Sequence, residues 1–418
     1  MFIIYFGFGL FCYFYFYYKT RDALNPFGVS LIVYLSMFAL STLELSEYQD
    51  KMLIRTQLLV ILSATAIFFV GYVYVFYYSH MLQNVDNQPI VTQNYKYFLF
   101  IVTVMSIVSV AYLIISRGFN IQIDLSGSGA LNTRKGEATG ILYSNAGIIR
   151  YIAMIFPYSI VFVFYDFLFD KNNTMFLKFL ELLYCAAAVV YTLFVLASRG
   201  TLLLPALGVL YLLNKKYDFK PQKIALALLL IVLLFSIYME IRLFHESAVF
   251  SGTSIENRTF NAIYNYFAIG FNNLNMLVED GSPISGIKFS FISFSKVLGI
   301  YDVSELKMYK TLFFNGFPFI YGFYHDLGVL GVVLYPVLIY TFIGKIYIES
   351  RNKRPELILL LAMYGKAIFI LAFGNYFFGS FSGSIQYYAC AFLLIGGYCF
   401  RQLPRVRISA YRKITIRR

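Results

Sequence analysis

The sequence predicts an all-α polytopic membrane protein with about eleven transmembrane helices. Three observations predict it. Hydrophobic residues make up 60% of the 418-residue chain and charged residues only 13%, a balance outside the range of soluble domains. The apolar residues come in runs of about 17–22, the length that crosses a hydrocarbon core of about 30 Å. Those runs are continuous rather than alternating. Helices, which satisfy their own backbone in lipid, therefore fit them, and an outer-membrane barrel does not.

In chain order the spans fall at about 2–18, 27–45, 56–78, 97–115, 148–168, 179–197, 201–213, 224–241, 327–346, 357–373 and 385–400. The first lacks a basic leader and a small-residue cleavage site, so it reads as a transmembrane helix rather than a signal peptide. The seventh is short. Cys12, Cys185, Cys390 and Cys399 all sit within apolar runs, and none is placed for a loop disulfide. Tryptophan is absent, and the abundant tyrosines can form the interfacial aromatic belt alone. The whole chain, 1–418, reads as one integral membrane domain.

Charge orients the spans. Lys19 and Arg21 follow span one; Lys215, Lys216, Lys220 and Lys223 follow span seven; Arg351, Lys353 and Arg354 follow span nine. The tail 401–418 adds Arg401, Arg405, Arg407, Arg412, Lys413, Arg417 and Arg418. With eleven spans all of these fall on one side, which carries 20 Lys and Arg against 8 Asp and Glu. The other side carries 13 of each, and Lys366, inside span ten, completes the 34 basic residues. The expected topology has the N-terminus outside and the C-terminus in the cytoplasm. The net charge of +13 is then explained without nucleic acid, and the basic tail suits anionic membrane lipids.

The cytoplasmic loops are short and carry no nucleotide-binding motif. Two long segments lie outside: 116–147, with Ser126-Gly127-Ser128-Gly129, and 242–326, between spans eight and nine. The second contains semi-apolar stretches at Phe260–Leu277 and Phe289–Ile300, which read as interfacial or re-entrant helices. Long loops in compact proteins are usually functional, so recognition or chemistry is expected on the outer face.

Several residues there suit an anionic substrate. Arg199, in Ser198-Arg199-Gly200 between spans six and seven, sits at a helix N-terminus, where it opposes the helix dipole unless an anion joins it to the free N–H groups. Arg150, Arg242 and Arg258 lie near the same interface, and arginine's planar fork suits a diphosphate. Each has an ordinary alternative as an interfacial anchor or ion-pair member, such as Arg242 with Glu240 or Glu246. Tyr324-His325-Asp326 closes the large loop. His325 with Asp326 can serve as general base for a sugar hydroxyl; the alternative is Asp326 as N-cap of span nine. His245 is a weaker second histidine. Lys366, mid-span, needs a partner in the bundle interior, since a lysine in lipid is costly. Gly374–Ser380 forms a tight outer connection. No metal-ligand spacing and no nucleophile elbow is present, so neither metal nor cofactor is expected.

The plan and its short motifs resemble the Wzy-type oligosaccharide repeat-unit polymerases, relatives of the O-antigen ligases. The resemblance is carried by Asn25-Pro26-Phe27 opening span two, by Ala197-Ser198-Arg199-Gly200, by the large outer loop before the last three spans, and by Tyr324-His325-Asp326-Leu327-Gly328-Val329-Leu330-Gly331. It implies a metal-independent, GT-C-like glycosyltransferase in a bacterial plasma membrane. Such an enzyme transfers a growing chain from undecaprenyl diphosphate to a sugar hydroxyl of a second lipid-linked unit. The arginines, with Lys366 and Tyr324, would bind diphosphate and glycan, and Arg199 and Arg242 match the family's outer-face arginines best. Implied partners are the lipid-linked donor and acceptor, a chain-length regulator and a flippase. The Arg-x10-Gly pattern of some members does not occur at Arg134, Arg199, Arg242 or Arg258. Two other readings stand beside this one: a ligase-like glycan transferase, and a lipid-linked-oligosaccharide flippase or transporter. A non-catalytic scaffold or sensor is a further class.

Overall fold

A computed structural model describes residues 1–46, 49–83, 91, 93–116, 149, 152–195, 199–243, 258–281, 286, 289–290, 317–351, 355–369 and 371. Among them are eleven α-helices and no strand: α1 (Phe2–Thr20), α2 (Pro26–Ser41), α3 (Ile54–Gln83), α4 (Gln93–Ser116), α5 (Ile155–Phe169), α6 (Met175–Val190), α7 (Arg199–Tyr217), α8 (Pro221–Leu243), α9 (Arg258–Asp280), α10 (Ile320–Arg351) and α11 (Pro355–Phe369). A single π-helical turn, Tyr191–Val195, extends α6.

Among the described residues, four helices are long and apolar enough to cross a membrane: α3, α4, α6 with its π turn, and α10. Shorter apolar helices occupy α2, α5, the start of α8 and α11. The chain thus has the apolar helices of a membrane protein. The expected span 385–400, the tail 401–418, residues 117–147 of the first outer loop and Gly374–Ser380 lie outside the described residues. Much of the helix surface is apolar and exposed, as a lipid-facing surface is; on α6, Met175, Phe176 and Phe179 are each more than half exposed.

Packing is aromatic. Phe16, Phe27, Tyr34, Phe38 and Tyr340 are fully buried. Close approach is possible because small residues face them: a Cβ on Gly71 would lie 2.6 Å from the Phe16 ring and 2.7 Å from the Phe27 ring. α10 packs along α3, where the Tyr74 hydroxyl donates to the Thr341 carbonyl at 2.9 Å.

Polar side chains tie the two ends of the bundle. At the basic end, Asn25 caps α2 by accepting from the N–H groups of Phe27 and Gly28, with Pro26 at the first helical position, where its missing N–H costs nothing. Asp22, 4% exposed, accepts from Lys215 Nζ at 2.9 Å, Asn214 Nδ2 at 2.9 Å, the Tyr347 hydroxyl at 3.1 Å and the Leu24 N–H at 3.0 Å. The Lys215 ammonium lies against the rings of Tyr211 and Tyr347. One buried carboxylate thereby joins the α1–α2 turn, α7 and α10.

At the opposite end, α9 lies across the link between α2 and α3. It is strongly amphipathic, as expected for an interfacial segment around Phe260–Leu277, but its inward face is partly amide. Asn275 Oδ1 accepts from the Leu53 N–H at 2.9 Å and the Thr56 hydroxyl at 2.8 Å, while its Nδ2 donates to the Lys51 carbonyl. Asn272 accepts from the Asp50 N–H at 3.0 Å, and Tyr264 donates to Leu40 and Gln49. The asparagines satisfy loop groups that would otherwise be buried unpaired. Burial pushes the Tyr264 hydroxyl above its ordinary pKa. Asn275→Ala should cost about 1–3 kcal/mol, the penalty for orphaned buried groups; faster hydrogen exchange at Leu53 checks it.

Candidate functional site

α10 is broken. Gly328 has φ 60° and ψ −140°, a conformation closed to residues with a Cβ, so Ile320–Leu327 forms a short helix and the long helix restarts after it. The chain then folds back closely enough that a Cβ on Gly331 would lie 2.1 Å from the Phe323 carbonyl oxygen. The break gives the Tyr324–Gly331 motif a physical content: both of its glycines are required by backbone geometry.

His325 and Asp326 sit in the last turn before the break, and they point to different work. Asp326 is fully buried. Its Oδ1 accepts from the Phe289 N–H and its Oδ2 from the Ser290 N–H, both at 2.7 Å; its own carbonyl accepts from the Gly286 N–H at 3.0 Å. One residue of α10 thus fixes a segment of the large loop. The carboxylate thus serves the loop, two residues before the Gly328 break where the long helix restarts.

The docked segment covers His325. The Phe289 ring stacks on the imidazole with centroids 5.0 Å apart and planes 26° apart, and also contacts Tyr321 at 5.3 Å. Gly322 leaves room for the Phe289 ring, since a Cβ there would lie 2.9 Å from it. His325 is 6% exposed, and the Ser290 hydroxyl is buried with no hydrogen-bond partner. Tyr324 is half-buried against the main core. The Phe319 N–H donates to the Leu371 carbonyl at 2.7 Å, which brings the end of α11 to the start of α10.

The remaining predicted residues are placed by backbone alone. Arg199 opens α7, Arg242 lies in the last turn of α8, Arg258 opens α9, and Lys366 lies in the last turn of α11. Asn214 and Lys215 put the C-terminus of α7 on Asp22 at the basic end, and α8 begins four residues after α7 ends, so Arg199 and Arg242 lie at the far ends of those two helices, at the end of the bundle shared by Arg258 and the His325 turn. Lys366 is five residues before Leu371. The side chains of these four, and all of Arg150 and His245, lie outside the described residues. No group of three or more His, Cys, Asp or Glu side chains that could hold a metal occurs among the described residues.

Sequence reasoning passed over two features. Asp166 and Glu181 lie in the fifth and sixth expected spans and meet through Asn173. Sequence reasoning also gave Asp22 no role. The signal for the first was present, since acidic residues within apolar runs are costly and therefore need partners. No known protein family, no curated protein and no solved structure matches this chain.

Proposed function

We propose that the protein is a membrane glycosyltransferase that polymerises oligosaccharide repeat units carried on undecaprenyl diphosphate, at the outer face of a bacterial plasma membrane. The observation that carries this reading is the broken α10, whose His325 turn is covered by a docked segment of the large loop at the end opposite the basic one. Three arginine-bearing helix ends lie at that same end. In this reading the bundle is a multi-pass, GT-C-like one of about eleven spans, N-terminus outside. The arginines, with Lys366, hold the diphosphate and stabilise it as leaving group, a preorganised electrostatic role. His325 takes the proton from the acceptor hydroxyl. Asp326 holds the loop over His325, which makes it a positioning residue.

The test is reconstitution. Purified protein given lipid-diphosphate-linked repeat units should produce a ladder of lengthened products. Arg199→Ala and Arg242→Ala should each lower the rate about 100-fold, on the scale of losing one preorganised electrostatic contact. An undiminished ladder in both variants refutes the clamp.

A flippase is the second reading, favoured by the carboxyl groups of Asp166 and Glu181 within the fifth and sixth expected spans. It predicts movement of the lipid-linked unit across vesicles without lengthening.

A further inference from the structure

A second polar cluster lies at the basic end, away from His325. Lys96 of α4 forms an ion pair with Asp170, just past α5, and donates to Asn173 Oδ1 at 3.0 Å. The Asn173 amide nitrogen donates to Asp166 Oδ2 at 2.8 Å and to Glu181 Oε1 at 2.8 Å. Its two N–H groups are thus both used, and one nitrogen holds two carboxyl groups side by side.

The other oxygen of each group, Asp166 Oδ1 and Glu181 Oε2, is buried with no hydrogen-bond partner. Asp166 is only 4% exposed. With both groups ionised the cluster holds three carboxylates against one ammonium. Two adjacent anions, each with one buried and unsatisfied oxygen, are costly. A single hydrogen between those oxygens removes one charge and supplies the missing donor. Asp170 is the ionised partner of Lys96: burial alone would raise its pKa, but the Lys96 ammonium and the Asn172 N–H outweigh burial and hold it below the ordinary carboxylate value.

We propose that Asp166 and Glu181 form a proton-binding site, in which one proton is shared between the two carboxyl groups and clips α6 to α5. The bound proton makes an O–H bond on one carboxyl and a hydrogen bond to the other; its release leaves two carboxylates on one amide. The charged and titratable groups around the pair come from every packed element. Tyr95 and Lys96 approach from α4, and Tyr165 and Asp170 from α5 and its end. Cys185 lies on α6, Lys178 faces Asp170, and Lys216 of α7 donates to the Leu168 carbonyl beside the site. Two lysines thus border the site beyond the one that neutralises Asp170, and the proton exchanges at the basic end. α6 has few other ties to the bundle: its membrane-crossing stretch is only 17% buried, and Tyr184 bonds to Ser106 and Ser159.

Infrared difference spectroscopy of the full-length protein, in a detergent without ester groups, tests this directly. Wild type should show a protonated-carboxyl stretching band at neutral pH, where ordinary carboxylates are ionised, and lose it at alkaline pH. Glu181→Gln, whose amide can donate where the proton did, should lose the band, and so should Asp166→Asn. The native state would hold one proton more than the unfolded chain at neutral pH, so thermal stability should fall as pH rises; Glu181→Gln should flatten that slope. A wild type with no such band overturns the proposal, as does a band that survives in either variant. If one variant does not fold, the other decides. The readout does not depend on glycan transfer, so its outcome is separate from that of the polymerase reading.

Discussion

Gly331→Ala abolishes the folded protein or nearly so. The added methyl would sit 2.1 Å from the Phe323 carbonyl oxygen, a backbone atom that no rotamer change can move aside. Overpacking in a well-formed core typically costs about 1–3 kcal/mol, and a clash against backbone belongs at the top of that range or above. The expected measurement is loss of the monodisperse peak in size-exclusion chromatography of detergent extracts. Gly7→Ala is the control. Its position has nothing within 4 Å of a new Cβ, so the variant should be recovered like wild type. If Gly331→Ala is recovered as well, the close return of the chain after the Gly328 break is wrong. The geometry of the His325 turn falls with it.

Asp22→Ala carries the next largest effect. Asp22 and Lys215 have side-chain exposures of 3% and 15%, so removing the carboxylate leaves an ammonium in a mostly dry site. Breaking one side of a buried pair costs about 3–5 kcal/mol. Asn214, Tyr347 and the Leu24 N–H lose the same acceptor, which makes the loss cooperative across α1, α7 and α10. Replacing both charges, as in Asp22→Leu with Lys215→Met, should recover much of the stability, because the desolvation penalty is removed with them. Thermal melts of wild type, the single variant and the double variant make the comparison. Equal destabilisation in the single and double variants would show that the charge pair contributes nothing beyond its volume.

Much of the architecture is legible in the amino acids because lipid imposes a simple rule: each backbone polar group must be satisfied within its own segment. The apolar runs that predict spans two to six become α2 to α6, and Asn25-Pro26-Phe27 predicts its own cap through side-chain oxygen and proline geometry. The amphipathic stretch near Phe260–Leu277 becomes α9. Boundaries were less legible. The ninth span was expected from residue 327, and the long helix does restart at the Gly328 break; what was not legible is the short helix Ile320–Leu327 ahead of it, because Tyr, His and Asp before Gly328 lower the hydropathy without stopping a helix. The candidate site was legible only as residue types at plausible depths. His325 and Asp326 read together as a general base, and their neighbours in space are what separate them. Asp326 spends both oxygens on a loop segment 36 and 37 residues earlier, and His325 lies under a ring from that same segment.

By itself, then, the sequence determined an apolar helical membrane protein, and glycines and a capped proline where the backbone needed them. Each follows from properties that residues carry locally: transfer cost, period, and allowed φ and ψ. The tertiary structure alone decided which polar residues are partners. It put Asp22 on Lys215, 193 positions away, Asn275 on the loop at 51–56, and Asp166 beside Glu181. Pairing across a membrane bundle depends on which helix faces which. That choice is made by the fit of side chains such as the rings against Gly71 and Gly322, which no single segment specifies.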